Sequence, residues 1–200
     1  KFDMCWIPDA EGDINLSGKL GHVTDFDKPL KYIGPLSRFN KSESEIKNDF
    51  MVLISGPEPQ RTLLEKKLLS ELKNFSGKVV FVKGVMEKEQ TIQVLGDITI
   101  YNFMTSTLLE KTIKESAFVV SRSGYTTVMD LAKLNKKAFF IPTPGQFEQE
   151  YLAERLNEMN LVPSCSQKKF SLDKLDDVNT FEGLKAFNFD IDYKDLFSLF

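Results

Sequence analysis

The stretch 118–156, FVVSRSGYTTVMDLAKLNKKAFFIPTPGQFEQEYLAERL, leaves this chain few folds to adopt. An apolar strand ends in a small polar loop and an amphipathic helix follows. The same order then repeats through a second strand, a Pro/Gly loop and another helix. Alternation of this kind builds a doubly wound α/β sheet, in which ligands sit outside the carboxyl ends of the strands. Both loops of the stretch fall there.

The rest of the chain agrees. Apolar runs predict strands at 50–55, 78–82, 98–101, 117–121 and 138–141, with shorter ones at 4–7, 31–34 and a last edge strand at 161–163. Leu64, Leu68, Leu72 and Phe75 lie on one face of a helix, and further helices are expected at 107–115, 125–135 and 147–160. Asn160 suits a left-handed helix stop. Segments 10–29 and 84–96 read as irregular. In the tail, Tyr193, Leu196, Phe197 and Phe200 fall at helical spacing. The expected architecture is a Rossmann-like, doubly wound parallel sheet at 41–165, preceded at 1–40 by the remnant of another domain with its linker and followed at 166–200 by a helical tail. The chain opens in mid-strand, so a fragment of a longer enzyme is expected.

Composition narrows the function classes. A net charge of −3 over 200 residues, with no basic block, disfavours nucleic acid as a partner. Cys5 and Cys165 have neither metal-ligand nor redox spacing and are expected as free thiols. No apolar run approaches the roughly 20 residues of a membrane span, which makes a cytoplasmic location the default. The acidic cluster Asp9, Glu11 and Asp13 lacks the glycine of a calcium loop, where Ile14 stands, and its terminal Glu. Asp25–Asp27 and Asp190–Asp192 do not follow buried strands and read as surface charge. His22, the single histidine, has no partner visible in the sequence and reads as incidental.

The two loops carry more chemistry. Arg122–Ser123–Gly124 follows a buried strand and opens a helix, a place where free N–H groups and the helix dipole favour phosphate. Gly124 allows close approach, while Ser123, Thr126 and Thr127 offer hydroxyls. Asp130, one turn beyond Thr126, is placed to accept from a ribose. The same spacing fits an ordinary capped helix with a solvated Asp. In the second loop, Gln146, Gln149 and Glu150 offer the mixed donors and acceptors that sugar hydroxyls need.

Together these residues resemble the C-terminal, donor-binding domain of glycosyltransferase family 28, over about 32–162 and most specifically at 122–151. The resemblance implies the C-terminal half of a GT-B glycosyltransferase that uses a UDP-sugar without metal or other cofactor. It places Ser123, Gly124 and Thr126 at the donor diphosphate, with Arg38 of GPLSR reaching it from the interdomain segment. Asp130 stands where the family holds the ribose with a glutamate. Gln149 falls on a glutamine that reads the sugar, and Glu150 replaces a second one. Phe103 and Met104 lie in the loop whose backbone faces the uracil. Where the family has Gly-Gly-Ser after the first strand, this chain has Ser55, Gly56, Pro57 and Glu58, so that contact is expected to be lost or replaced by Arg61 or Gln60.

The implied activity is inverting transfer of a hexosyl or N-acetylhexosaminyl group to an acceptor hydroxyl, on a lipid-linked or other glycan. The catalytic base is expected from the missing N-terminal domain, and a peripheral place at the inner membrane face suits such a protein. Two rivals remain open: a non-catalytic nucleotide-sugar-binding subunit that pairs with a separate acceptor subunit, and a GT-B epimerase.

Overall fold

In the computed structural model, residues 2–85, 87–184 and 194 are described. Tyr193, Leu196, Phe197 and Phe200 of the expected tail helix and the Asp190–Asp192 pair lie outside them.

Six strands form the main sheet: β3 (Asn48–Leu53), β4 (Val79–Val82), β5 (Ile92–Leu95), β6 (Ile98–Tyr101), β7 (Ser116–Ser121) and β8 (Lys137–Phe140). They follow β1 (Cys5–Ile7) and β2 (Leu30–Tyr32), a separate parallel pair. The main sheet runs β5-β6-β4-β3-β7-β8, parallel throughout except that β5 is antiparallel to β6. Without β5 this is the Rossmann-like order, and the expected α/β class holds.

The continuous apolar strands make sense because both faces are covered. Met51, Val119, Ala138 and Phe140 pack with α2 (Ser106–Lys114), α3 (Tyr125–Lys133) and α4 (Phe147–Glu158). Their alternating neighbours Phe50, Val52, Val120 and Phe139 face the other way, onto Leu64, Leu68 and Leu72 at and just beyond α1 (Gln60–Glu71), and onto Phe170, Leu175 and Val178. A period of two with both sides apolar is a parallel strand between two layers. Within α3, Val128, Leu131 and Ala132 recur at three and four residues and are all buried. That helix stops at Asn135, whose φ of 50° is left-handed, and Asn160 ends the turn after α4 at φ 57°.

Three expectations need correcting. The segment 84–96 is not wholly irregular, since β5 forms a hairpin with β6 through Gly96 (φ 60°) and Asp97. A Gly-Asp pair between alternating residues is the signal for it. The sheet is therefore not entirely parallel. Nor is 161–163 an edge strand: Leu161 and Val162 are buried in the core, and the chain touches the sheet only through a parallel bridge from Phe140 to Ser164.

The long connection 8–29 is built on one buried carboxylate. Asp9 accepts from the backbone N–H groups of Ala10 (2.8 Å), Leu16 (3.0 Å) and Ser17 (2.7 Å), and from the Ser17 hydroxyl. Four donors satisfy a charge that burial would otherwise disfavour. His22 is structural rather than incidental. Its Nε2 lies 3.0 Å from the Ala10 carbonyl and its Nδ1 3.2 Å from that of Gly18, and its ring stacks on Tyr32. The segment docks on α4, where the Lys19 N–H donates to the Tyr151 hydroxyl and Arg155 donates to Asn15.

Candidate functional site

The order of the strands fixes where a ligand fits. Chain that leaves β3 and chain that leaves β7 run to opposite faces of the sheet, α1 to one and α3 to the other. A crevice opens between such strands at their carboxyl ends. Its walls are the segment 54–59 and the loop Arg122–Ser123–Gly124.

Gly124 stands in extended conformation (φ −65°, ψ 141°) just before α3, and a Cβ there would meet nothing within 4 Å. Open space thus lies beside Gly124, and the N-cap residue offers no side-chain cap to the first helical amides. The nearest acceptor is a carboxylate oxygen of Glu148, 3.4 Å from the Tyr125 N–H. Thr126 is exposed at the same end. The Ser123 hydroxyl points the other way and donates to the Gln149 carbonyl at 2.7 Å, so Ser123 has only its backbone to offer a ligand.

Asp130, on the next turn, is half-buried and accepts from the Ser37 hydroxyl at 2.6 Å. Burial raises its carboxyl above the ordinary range, opposed by that hydrogen bond and by the Arg38 guanidinium. The GPLSR segment thus lies against α3, held further by the Leu36 N–H on the Met129 sulfur. Arg38 itself is exposed, with its guanidinium 5.3 Å from the centre of the Phe39 ring.

Gln149 is buried and holds the second loop together. Its side-chain oxygen accepts from the Thr143 N–H (2.9 Å) and its side-chain nitrogen donates to Gln146 (2.5 Å). Glu150 accepts from the Gly145 N–H and lines a cavity between α4 and Ser164–Gln167. Glu148 lines a different cavity, beside α3. The structure therefore gathers Ser123, Gly124, Thr126, Asp130, Arg38 and the backbone of Gln149 about α3, and sets the Glu150 side chain apart. Phe103 and Met104 sit beyond β6. Both peptide groups of Phe103 are engaged, its N–H with Asn102 Oδ1 and its C=O with Gln90, while the Met104 side chain packs on the core.

Arg61, expected as a replacement for the Gly-Gly-Ser contact, has its donors engaged within the protein. It pairs with Glu58 (2.6 Å) and Glu65 (2.8 Å) and donates to the Lys83 carbonyl. The pairing also offsets the charge of Glu58. Gln60 contributes differently, through its carbonyl, which accepts from Arg122 at 3.0 Å.

Arg122 is the residue that the sequence reading left without a role. It is 1% exposed. Its other donors go to the carbonyls of Ile141 (3.0 Å) and Pro142 (2.9 Å) and to the Gln167 side chain (2.8 Å), while its Nε has no partner among the described residues. These acceptors are all neutral. Burial lowers its pKa only to about 10, so the cation persists at neutral pH. A buried charge without a counter-charge is expensive unless something anionic balances it. The one signal in the sequence was an arginine directly after an apolar strand and before Ser-Gly.

The family model described as the glycosyltransferase family 28 C-terminal domain matches residues 57–180. Among solved structures, the glycotransferase of kitacinnamycin matches with a TM-score of 0.54 at 13% identity, covering 76% of this chain and 40% of that one. MurG of Acinetobacter baumannii matches with a TM-score of 0.49 at 19% identity, covering 67% of this chain and 41% of that one. The chain thus spans about two fifths of the length of each. A search of curated protein sequences finds no match. Among the described residues, no helix is long and apolar enough to cross a membrane.

Proposed function

The chain belongs to the glycosyltransferase family 28 C-terminal domain family, and from that membership we propose that it binds the nucleoside diphosphate part of a UDP-sugar at the start of α3. The observation that carries this reading is Arg122, a buried cation whose partners among the described residues are all neutral, directly before the start of α3. Together they favour a dianion. In this reading the first amides of α3 and Arg38 contact the diphosphate, and Asp130 accepts from the ribose after exchanging its bond with Ser37. The second loop, shaped by Gln149, meets the sugar through Gln146. Phe103 and Met104 stand by the uracil.

The proposed reaction is inverting and needs no metal. An acceptor hydroxyl attacks the anomeric carbon from the face opposite the diphosphate, and the helix amides with the buried arginine stabilise the charge growing on the leaving group. The base comes from a partner domain, so this chain alone binds nucleotide without transferring sugar. A cytoplasmic place, peripheral at the inner membrane face, goes with this reading. Calorimetry with UDP tests it. Binding in the micromolar to millimolar range, weakened about tenfold in Asp130→Ala, is expected. Absence of binding at millimolar UDP overturns it.

A further inference from the structure

Among the described residues, three buried side-chain atoms lack a hydrogen-bond partner: Arg122 Nε, Thr143 Oγ1 and Arg155 Nε. The first two belong to the loops that leave β7 and β8 at their carboxyl ends, where a ligand of this fold sits. Thr143 is 2% exposed, and its N–H donates to the Gln149 side chain at 2.9 Å, which holds the residue in place. A buried hydroxyl without a partner costs stability.

Gly56, on the wall that follows β3, lies opposite that hydroxyl. A Cβ built on Gly56 would have Thr143 Oγ1, 3.7 Å away, as its one neighbour within 4 Å outside the adjoining chain. With φ at 109°, position 56 disfavours any side chain, so the space beside the hydroxyl stays open. Arg122 donates to the Pro142 carbonyl (2.9 Å), in the peptide bond before Thr143, and to the Gln60 carbonyl (3.0 Å), just past the wall of Gly56. The open position thus has an unsatisfied donor on one side and a buried cation that joins both flanking loops.

We propose that Thr143 donates its hydroxyl to the β-phosphate of the donor at the gap beside Gly56, in place of the contact that Pro57 has no N–H to make. The assignment rests on the donor reading of α3 and adds a residue to it from the loop after β8. Thr143 shares its loop with Gln146 and Gln149, on the sugar side of the proposed site, and so meets the phosphate that carries the sugar. A hydrogen bond to a phosphate oxygen is charge-assisted, and it strengthens as that oxygen gathers charge when the sugar departs.

Melting curves and calorimetry with UDP and UMP test this on Thr143→Val and Thr143→Ser. Valine has nearly the shape of threonine without the hydroxyl. Removing an unsatisfied buried group should raise the melting temperature of Thr143→Val by roughly 2–4 °C. Its affinity for UDP should fall about tenfold, while that for UMP stays within about twofold. Thr143→Ser should keep the UDP affinity to within about threefold. A gain of stability coupled to a loss of affinity is what a merely structural threonine would not produce. Equal weakening of UDP and UMP, or weaker binding with a lower melting temperature, overturns the proposal. If the parent chain binds UDP and Thr143→Val binds it as tightly, the role of Thr143 alone falls. If the parent does not bind UDP at all, the donor reading itself fails and takes this contact with it.

Discussion

The Ser37 hydroxyl donates to the Asp130 carboxylate at 2.6 Å, a bond between positions 93 residues apart. It fastens the segment before the main sheet to the helix that opens at Gly124. The acid expected at the ribose is thus already oriented. A ribose hydroxyl could take over from Ser37 without turning the carboxylate.

Asp130 gives a pH signature. Burial, outweighing Ser37 and Arg38, raises its pKa in the folded chain above the usual 3.8. The folded state then holds this proton more tightly than the unfolded chain does, so stability falls as pH rises from 3.8 through the raised value and stays lower beyond it. Asp130→Asn lacks that slope. Its melting temperature relative to the parent should climb across the window and level off at neutral pH, while its affinity for UDP drops about tenfold. Parallel melting curves at every pH would contradict this.

Arg122 should separate charge from packing. Arg122→Met strands several carbonyls and is expected to cost on the order of 3 kcal/mol of stability. It should also weaken UDP on the order of tenfold, as expected when one unit charge near an anion is removed at an effective dielectric near 20. Arg122→Lys keeps the charge and loses the fork of donors. Its melting temperature should fall, yet most of the UDP affinity should remain, which a purely structural role would not produce.

Glu148 sits where an anionic ligand would. Its carboxylate complements the start of α3 in the free chain and must yield when a diphosphate arrives. Glu148→Gln should therefore lose about 0.5 kcal/mol of stability and gain roughly two- to fivefold in affinity for UDP. Weaker binding by the variant would show that Glu148 helps the ligand instead.

Gly18 permits the N-terminal segment to reach α4. Its φ is +51°, and a Cβ there would lie 2.2 Å from the Tyr151 hydroxyl and 2.8 Å from the Arg155 side chain. Gly18→Ala should cost about 1–3 kcal/mol in denaturant unfolding. The Trp6 emission should change at lower denaturant than the far-ultraviolet circular dichroism of the main sheet.

Periodicity made most of the fold legible. Leu64, Leu68 and Leu72 mark α1, and Val128, Leu131 and Ala132 mark α3, because a helix must bury one stripe and the stripe repeats locally. The β5 hairpin escaped because Ile92, Val94 and Leu95 are exposed, so its apolar alternation serves no core. The places of the two loops at the strand ends were legible for the same reason as the fold, as strand ends are local features. Its inner wiring was not. The Gln149 amide shapes its loop through bonds to Thr143 and Gln146 that no sequence spacing announces. Arg122 had no role of its own in the loop pattern, and only the folded chain reveals that its partners come from Gln60, Ile141, Pro142 and Gln167.

Tyr125 joins the N-terminal segment to α3: its N–H lies at the start of the helix, its side chain walls a cavity beside β1, and its hydroxyl donates to the Pro8 carbonyl. A ligand that seats on that N–H therefore also settles the ring that carries the chain just after β1. The expected consequence is mechanical: a nucleotide bound at α3 slows amide exchange in β1 and β2 as well as in the helix itself.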